Sequence, residues 1–592
     1  MLNADPGRPV RRARGSGGRG SAPLVRLSAL MAVLSIVAVV LGGCSSALSA
    51  GPVRPGPHVS QPEGRHELTP EDVTAWLDGK IPDALNRGDL PGAVVTVVHN
   101  GRILVTRGYG HAATGADGEP QRPVDSETLF RIASVSKLAT SISVMQLVER
   151  GELDLDTDIS TYIDVSIPRR FSGDITLRNL LTHTAGFEER GKNLVTSESG
   201  PFDLDKSVRQ DPPVQVFAPG TTPAYSNYGM ALAGHIVQQV SGERFEEYIQ
   251  RHIFEPLGMD SSTFEQPLPA ALEDRLARGY KTSNGPSSAF TAAAAPEGGM
   301  TTSGPDMAAF MIAQLERSPK LLQESTWEQM WSPGLGAESL GNLSKASFMG
   351  LGYYDESRNG HRIIGHGGDL PSYHSMFHIY PDEGTGVFIS LNGDGEGDGT
   401  VTSIIRSDLM AGFADRYYPG DENQPRVSRD EAKHHAQQVA GTYITTRTSF
   451  TTWMMPWLMG STAVTALDNG HLMVGKDEYV MVWSRGCGRR PMAPPGLRRR
   501  LRTARWCESG QPSVPSSRRP QRSRPCFRCW LVLRWCCWWS SLPGPSGRCV
   551  GAGPFATGYR QLIRCPGPDG WPELVRPWRS AQWQAGWLSC SR

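Results

Sequence analysis

The chain has 592 residues, enough for two or three domains, and its formal charge of +1 conceals three unlike segments. Residues 1–50 carry six Arg and one acid, residues 487–592 carry 19 Arg and three acids, and residues 51–486 carry 35 basic and 55 acidic residues. An acidic body is a poor candidate for binding a phosphate backbone, which requires clustered Lys and Arg, so nucleic acid is excluded as a partner. Only Cys44 precedes position 487, so no disulfide can form within the body.

Residues 1–43 are predicted to be a signal peptide of the lipoprotein type. A basic stretch precedes the apolar run Leu30 to Leu41, which is short for a membrane span of about 20 residues. Leu41-Gly42-Gly43-Cys44 resembles a bacterial lipobox, so Cys44 is the expected lipidation site. The body is therefore expected to be extracytoplasmic and anchored to the cell membrane by lipid. The alternatives are ordinary secretion after Ala50 and a retained transmembrane helix.

A linker rich in Pro and Gly is predicted over 44–66, and the main domain over 67–420. Thr69-Pro70-Glu71-Asp72 indicates the start of a helix, with a capping Thr and with Pro at the first helical position. Ala93 to Val98 and Ile103 to Tyr109 are typical of two strands. Asn100-Gly101, between them, is a strong hairpin signal.

The next long element is a helix, predicted from Ser134 to about Arg150 and buried, because apolar side chains surround most of its circumference. A helical and loop-rich stretch follows, and further strands are predicted at Arg362 to Ile364, Tyr373 to Tyr380 and Gly386 to Leu391. Strands at both ends and helices between them predict an α+β domain. We expect the terminal strands to share one antiparallel sheet, flanked by helices and accompanied by an all-helical subdomain.

A small β-rich domain is predicted over 421–485, and the sequence leaves its completeness open. The tail over 486–592 contains nine Cys, nine Trp and 19 Arg with no Lys and no persistent period, a composition that indicates an aberrant, out-of-frame or disordered segment. The alternatives are a membrane anchor at Cys526 to Pro543, whose apolar run is too short to span, and a metal or redox pair at Cys526 and Cys529.

Ser134-Val135-Ser136-Lys137 is the one Ser-x-x-Lys pattern in the chain. A Ser hydroxyl is a weak nucleophile at neutral pH and requires a base within hydrogen-bond reach. Residues i and i+3 lie on one face of a helix, and burial lowers the pKa of a lysine, so Lys137 is the candidate base. The alternative is an ordinary helix start. Tyr225-Ser226-Asn227 adds a phenol that can relay protons and an amide that can orient Lys137, or else a loop Tyr that packs on a helix.

His366-Gly367-Gly368 follows the predicted strand Arg362 to Ile364, and its glycines would let a substrate backbone approach the sheet edge. Even spacing would place His366, His374 and His378 on one strand face. A metal site there, with His361, is the alternative. It lacks a neighbouring carboxylate shell, so no metal and no cofactor are expected.

These three motifs in this order resemble the signature of class C β-lactamases and their relatives among penicillin-binding proteins and esterases. Leu180 to Gly186 and Pro296 to Met300 resemble sequence typical of the same group, and the resemblance covers about 70–420. It implies that Ser134 attacks a carbonyl and becomes acylated, and that Lys137 and Tyr225 are the proton-transfer pair. It further implies that Asn227 and the segment His366, Gly367, Gly368 and Asp369 bind substrate, with the N–H groups of Ser134 and Asp369 as the oxyanion hole. His183 is expected to be structural.

The sequence departs from the family pattern where His366 replaces the Lys of Lys-Thr-Gly. A His is mostly neutral at pH 7, which weakens the case for binding the carboxylate of a penicillin. The resemblance therefore implies a serine hydrolase acting on D-amino-acid peptides, including cell-wall peptides, on carboxylic esters or on β-lactams, in that order. A non-catalytic envelope protein on the same fold is one alternative, and a membrane-embedded sensor that depends on the tail is another.

Overall fold

The computed structural model describes residues 66–190, 195–196, 202–288, 292–293, 295–345, 349–396, 400–420, 428–451, 461–475, 477–481, 501–504 and 562–564. The chain divides into two units, Met1–Pro62 and Glu63–Arg592, and every described residue belongs to the second. The predicted signal peptide, Cys44 and the linker up to residue 65 therefore lie outside the described residues.

The strands are numbered in chain order. They are β1 (Gly92–His99), β2 (Arg102–Ala113), β3 (Arg122–Pro123), β4 (Phe130–Arg131), β5 (Val195–Thr196), β6 (Ala292–Ala293), β7 (Thr301–Thr302), β8 (Tyr354–Asp355), β9 (Ile364–Leu370), β10 (Tyr373–Tyr380), β11 (Thr385–Leu391), β12 (Gly441–Thr445), β13 (Ser461–Ala466), β14 (Leu472–Val474), β15 (Asp477–Met481), β16 (Leu501–Ala504) and β17 (Leu562–Arg564).

The α-helices are numbered in the same way, and short 3₁₀ turns accompany them. They are α1 (Pro70–Gly88), α2 (Lys137–Glu149), α3 (Leu177–Leu181), α4 (Leu204–Arg209), α5 (Asn227–Ser241), α6 (Phe245–Ile249), α7 (Glu255–Leu257), α8 (Ala270–Glu273), α9 (Ala295–Gly298), α10 (Gly304–Leu315), α11 (Glu324–Trp331), α12 (Ala337–Leu340), α13 (Thr400–Tyr417) and α14 (Arg429–Val439).

The main sheet has seven antiparallel strands in the order β3-β2-β1-β11-β10-β9-β8. Strand β1 pairs with the late strand β11 in the register Ala93↔Leu391, so the prediction that the first and last strands share one sheet is confirmed. The hairpin between β1 and β2 is also confirmed: Asn100 and Gly101 have φ of 48° and 72°, the left-handed pair that a tight two-residue turn requires. The α+β fold class predicted from the sequence is thus the one observed.

Strand β1 is buried on both faces because helices cover both sides of the sheet. On one face Val94 belongs to the larger core, together with Ile142 of α2. On the other face Val95 packs with Leu77 of α1 and Phe413 of α13. The helical stretch between β3 and β8 adds its apolar side chains to the larger core, which fixes α2 against the sheet.

Two predicted boundaries are wrong, and both lie at the candidate site. The helix predicted from Ser134 begins as a 3₁₀ turn, Ala133–Ser136, and becomes α-helical only at Lys137. Ala133 has a positive φ of 52°, which no α-helix allows, and the turn closes by i+3 bonds from Val135 N–H to the Ile132 carbonyl. The strand predicted at Arg362 to Ile364 is instead β9, so the His-Gly-Gly motif lies within a strand rather than after one.

A second sheet with the order β16-β15-β14-β13-β12-β17 follows the main domain, and α14 packs on it through Ala436, Val464 and Leu472. We call residues 428–481 the C-terminal module. Of the predicted aberrant tail, the structure describes only β16 and β17, which pair with β15 and β12. Among the described helices, none has both the length and the apolar character needed to cross a membrane.

Candidate active site

The 3₁₀ turn brings Ser134 and Lys137 together. Lys137 Nζ donates to Ser134 Oγ at 2.9 Å. A 3₁₀ turn places residues i and i+3 directly above one another, so the spacing predicted for an α-helix still produces the contact. Ser134 is half-buried, whereas Lys137 has no exposed surface, because α2 is buried around it.

Three oxygen atoms surround the Lys137 amine. Besides Ser134 Oγ, Nζ donates to Asn227 Oδ1 at 2.9 Å and to the backbone carbonyl of Glu297. Burial lowers the pKa of Lys137 to about 7, against the opposing effect of the Glu297 carboxylate. About half of this amine is therefore uncharged at neutral pH. The uncharged form has two N–H donors and one lone pair, so it can keep the contacts with Asn227 and Glu297 while it accepts the proton of Ser134.

Tyr225 stands immediately before α5, which Ser226 caps by accepting from Gly229 N–H at 3.1 Å. The centre of its ring lies 5.2 Å from Lys137 Nζ. Burial raises the pKa of Tyr225, while the guanidinium of Arg447 and a hydrogen bond with Ser134 act in the opposite direction. The phenol therefore keeps its proton at neutral pH, which makes it a proton donor and leaves Lys137 as the acceptor.

His183 supports Tyr225 from behind. The two ring centres lie 4.3 Å apart, and His183 Nδ1 accepts from Ser226 N–H at 3.2 Å. His183 is buried, and burial together with the charge of Lys137 holds its pKa well below the usual range. These contacts are those of a packing residue beside the site.

His366 lies on β9 with its ring against Tyr354 at 5.1 Å and Tyr225 at 6.2 Å. Its Nδ1 donates to the Gly367 carbonyl at 2.6 Å. Burial, and secondarily the charge of Lys137, lower the pKa of His366 to about 3. The direction of this shift favours the neutral state predicted for His366, which then supplies no positive charge where the family pattern has a lysine.

Gly368 allows β9 to approach closely the 3₁₀ turn that carries Ser134. A Cβ at this position would lie 2.2 Å from the Ile132 carbonyl oxygen and 3.1 Å from Ser134 N, so no larger residue fits without displacing the turn. At Gly367 a Cβ would meet only the flexible end of Met376 at 3.4 Å. A glycine is therefore required at position 368 by packing within the protein. The predicted contact of Gly368 with substrate stays a prediction.

Asp369 follows in the same strand, and its side chain is held within the protein. Arg406 on α13 donates to its Oδ1 at 2.6 Å, and His374 Nδ1 lies 2.5 Å from the same atom. Both contacts engage Oδ1 and hold the Asp369 side chain against β10 and α13. The expectation that its N–H would help to hold an oxyanion stays a prediction.

The histidines of the metal alternative are not on one strand face, so that expectation is wrong. His366 is on β9 opposite Phe377, whereas His374 and His378 are on β10, because β9 and β10 are joined by a turn just before residue 373. His361 pairs with Glu383. In the described parts of the chain, no three His, Cys, Asp or Glu side chains form a group that could hold a metal.

Arg447 and Glu189, two charged residues beside the site, were not predicted from the sequence. The guanidinium of Arg447, on the loop after β12, lies 4.5 Å from the centre of the Tyr225 ring, and its Nε donates to Glu189 Oε2 at 2.7 Å. The flanking sequence Thr446-Arg447-Thr448 contains no recognisable motif. Glu297 lies in the family-like segment Pro296 to Met300 and belongs to the short helix α9.

A family model described as Beta-lactamase matches residues 77–408, more than half of the chain. The chain belongs to the beta-lactamase family. This beta-lactamase-family protein is also 30% identical over 314 residues to Esterase EstB of Burkholderia gladioli, a match that covers 46% of this chain and 78% of the esterase. Both findings identify it as a serine hydrolase.

Two further similarities extend the comparison. The beta-lactamase-family chain is 25% identical over 334 residues to Protein flp of Staphylococcus aureus strain MW2, covering 54% of this chain and 63% of flp. It thus spans less than two thirds of that relative. It also resembles the structure of the octameric penicillin-binding protein homologue from Pyrococcus abyssi, with a TM-score of 0.48, 22% identity, and coverage of 67% of this chain and 86% of that one.

Proposed function

We propose that this protein hydrolyses carboxylic esters through an acyl-enzyme formed on Ser134. The observation that carries the proposal is the position of Lys137 Nζ, 2.9 Å from Ser134 Oγ and 2.9 Å from Asn227 Oδ1 in a fully buried setting that lowers the pKa of Lys137 to about 7. A base with this pKa is suited to work at neutral pH.

In the proposed reaction the Ser134 hydroxyl gives its proton to Lys137 as Oγ attacks the ester carbonyl. The N–H groups of Ser134 and Asp369 stabilise the oxyanion, and the leaving alkoxide takes a proton from Tyr225, which regains one from Lys137. Water then attacks the acyl-enzyme and gives its proton to the same groups. They return a proton to Ser134 Oγ as its bond to the acyl carbon breaks, and the carboxylic acid leaves with Ser134 restored.

Two observations favour a neutral ester over a β-lactam or a peptide with a free carboxylate. His366 carries no charge at neutral pH, so β9 lacks a cation to bind a carboxylate there. Esterase EstB of Burkholderia gladioli, of which 78% is matched by this chain, is named as an esterase. D-amino-acid peptides and β-lactams are the other substrates that the family resemblance implies.

A labelling experiment tests the proposal. The purified full chain is exposed to a fluorescent fluorophosphonate and, separately, to a fluorescent penicillin, and the labelled peptide is located by mass spectrometry. We expect the phosphonate on Ser134 and turnover of p-nitrophenyl butyrate. No label on Ser134 from either probe would contradict the acyl-enzyme. A stable penicillin adduct without ester turnover would instead favour a penicillin-binding role.

We further propose that the protein is exported and anchored to the membrane by lipid on Cys44. The support is sequence alone: a basic stretch, a short apolar run and Leu-Gly-Gly directly before the first cysteine. We expect Cys44→Ser to move the protein from the membrane fraction to the soluble one, and the N-terminal peptide of the native protein to carry lipid on Cys44. An N-terminus that begins after Ala50 would contradict the anchor and favour secretion.

A further inference from the structure

The loop after β12 docks on the walls of the candidate site. We call residues 446–451 the docking loop. Thr446 Oγ1 donates to the carbonyl of Pro223, two residues before Tyr225, at 2.6 Å. The Thr448 carbonyl accepts from Glu189 N–H at 3.1 Å, and Ser449 Oγ donates to the Glu189 carbonyl at 2.5 Å.

The end of the docking loop is attached as firmly. Thr451 N–H donates to Glu188 Oε2 at 2.7 Å, and the Phe450 ring meets Phe217 edge-on at 5.7 Å between ring centres. Thr448 and Ser449 are at most 1% exposed. Backbone hydrogen bonds, an aromatic contact and the burial of Thr446, Thr448 and Ser449 together identify a built interface, so the loop is part of the site wall.

This interface presents one charged pair to Tyr225. Arg447 holds its guanidinium over the phenol ring while Glu189 binds its Nε, and their side chains are 26% and 9% exposed. Low solvent exposure strengthens the field of both charges at Tyr225 and Lys137. His366, which replaces the lysine of the family pattern, contributes no charge, so the cations that face the Tyr225 ring are Lys137 and Arg447.

We propose that Arg447, delivered by the C-terminal module, is a positioning residue that holds Tyr225 and Lys137 in the charge states that proton transfer from Ser134 requires. The inference rests on the proposed function. The two charges of the pair act in opposite directions: Arg447 lowers the pKa of both Tyr225 and Lys137, and Glu189 raises both. The other titratable groups around the phenol are His183, Tyr354, His366 and Glu297.

The pH dependence of kcat/KM for p-nitrophenyl butyrate tests this role in the full chain. Arg447→Met is expected to move the acid limb of the profile upward by about 0.5–1 pH unit and therefore to lower kcat about two- to fivefold at pH 7, with little change in KM. Glu189→Gln keeps an acceptor for Arg447 Nε but removes the negative charge that raises the pKa of Lys137. It is therefore expected to move the acid limb of the profile to lower pH. Arg447→Lys retains the cation and is expected to keep the wild-type limb within about 0.3 pH unit.

Opposite shifts in Arg447→Met and Glu189→Gln distinguish an electrostatic role from a structural one. Equal losses of activity in both variants with an unmoved limb would overturn the proposal, as would wild-type behaviour of Arg447→Met. If Arg447→Met loses its thermal transition, Arg447→Lys and Glu189→Gln carry the test alone. A wild-type protein that hydrolyses no ester contradicts the proposed function, whereas an active wild type with unmoved limbs contradicts only the role of Arg447.

Discussion

Replacing Ser134 with alanine is expected to lower hydrolysis of p-nitrophenyl butyrate by about 10⁴-fold or more, because removal of a nucleophile leaves only binding and oxyanion stabilisation. The fold should be unaffected. Ser134 is half-buried, its Oγ contacts Lys137 and Tyr225, and a Cβ is still present to fill the turn. Single-turnover kinetics and a thermal melt of the same preparation measure the two effects.

Ser136→Ala is the matched control, since it removes a second hydroxyl from the same 3₁₀ turn. Ser136 Oγ donates to the Ala133 carbonyl at 2.5 Å and accepts from Met300 N–H at 3.0 Å in a fully buried position. Its loss strands a buried donor and should cost roughly 1–3 kcal/mol of unfolding free energy. Hydrolysis should stay within about tenfold of wild type. Loss of the thermal transition in Ser134→Ala would mean that Ser134 is needed for folding. Hydrolysis that persists in Ser134→Ala would mean that Ser134 is not the nucleophile.

Local chemistry made much of this fold predictable. Thr69 caps α1 by accepting from Asp72 N–H at 3.2 Å, and Asn100-Gly101 forms the hairpin, because such signals depend on residues within a turn of one another. The contact of Ser134 with Lys137 was predictable for the same reason. Three residues of separation bring the two side chains together in either type of helix.

The errors arise where tertiary packing sets the backbone. Ala133 adopts a positive φ, and β9 extends through Gly368, because β9 packs closely against the 3₁₀ turn Ala133–Ser136 at the Ile132 carbonyl. No residue near Ser134 in sequence reports that contact. A run containing His and three closely spaced glycines also has weak strand propensity, so pairing with β10 decides its conformation.

The charges that complete the site were the least predictable. Glu189 and Arg447 meet only because the C-terminal module folds back onto the main domain, and neither stands in a motif. A charged residue alone in sequence is usually a solvated one, so the pattern gives no reason to select these two. The pairing of a serine and a lysine could thus be predicted from spacing, whereas the field that tunes them required the tertiary structure.

Replacing Lys137 with methionine is expected to lower kcat by about 10³-fold or more, because the Ser134 hydroxyl loses its proton acceptor. In the wild type, kcat/KM should fall as the pH drops below about 7, where the amine becomes protonated. The residual kcat/KM of Lys137→Met should not fall in this way below pH 7. Lys80→Met on α1 is the matched control, a half-buried lysine outside the candidate site, and it should keep the wild-type profile.

The same variant should change stability in the opposite direction to activity. The pKa of Lys137 is about 7 in the folded protein against 10.5 for an ordinary lysine, so between these values the unfolded chain binds a proton that the folded chain does not. The lysine therefore makes unfolding free energy rise with pH across this window, up to roughly 3–5 kcal/mol in total. Above pH 10.5 this cost vanishes, and below about 7 it is fully present.

Denaturant unfolding of both proteins at pH 7 and pH 9 measures this contribution. Lys137 also lowers the pKa of Glu297, which burial raises to about 7, so loss of the amine raises that pKa further and adds to the change in the same direction. The stability of the wild type relative to Lys137→Met should increase by roughly 2 kcal/mol from pH 7 to pH 9. A relative stability that is flat in pH would mean that Lys137 keeps its proton when folded. The amine would then be a fixed cation beside Ser134, and the general base would have to be another group, with Tyr225 the nearest candidate.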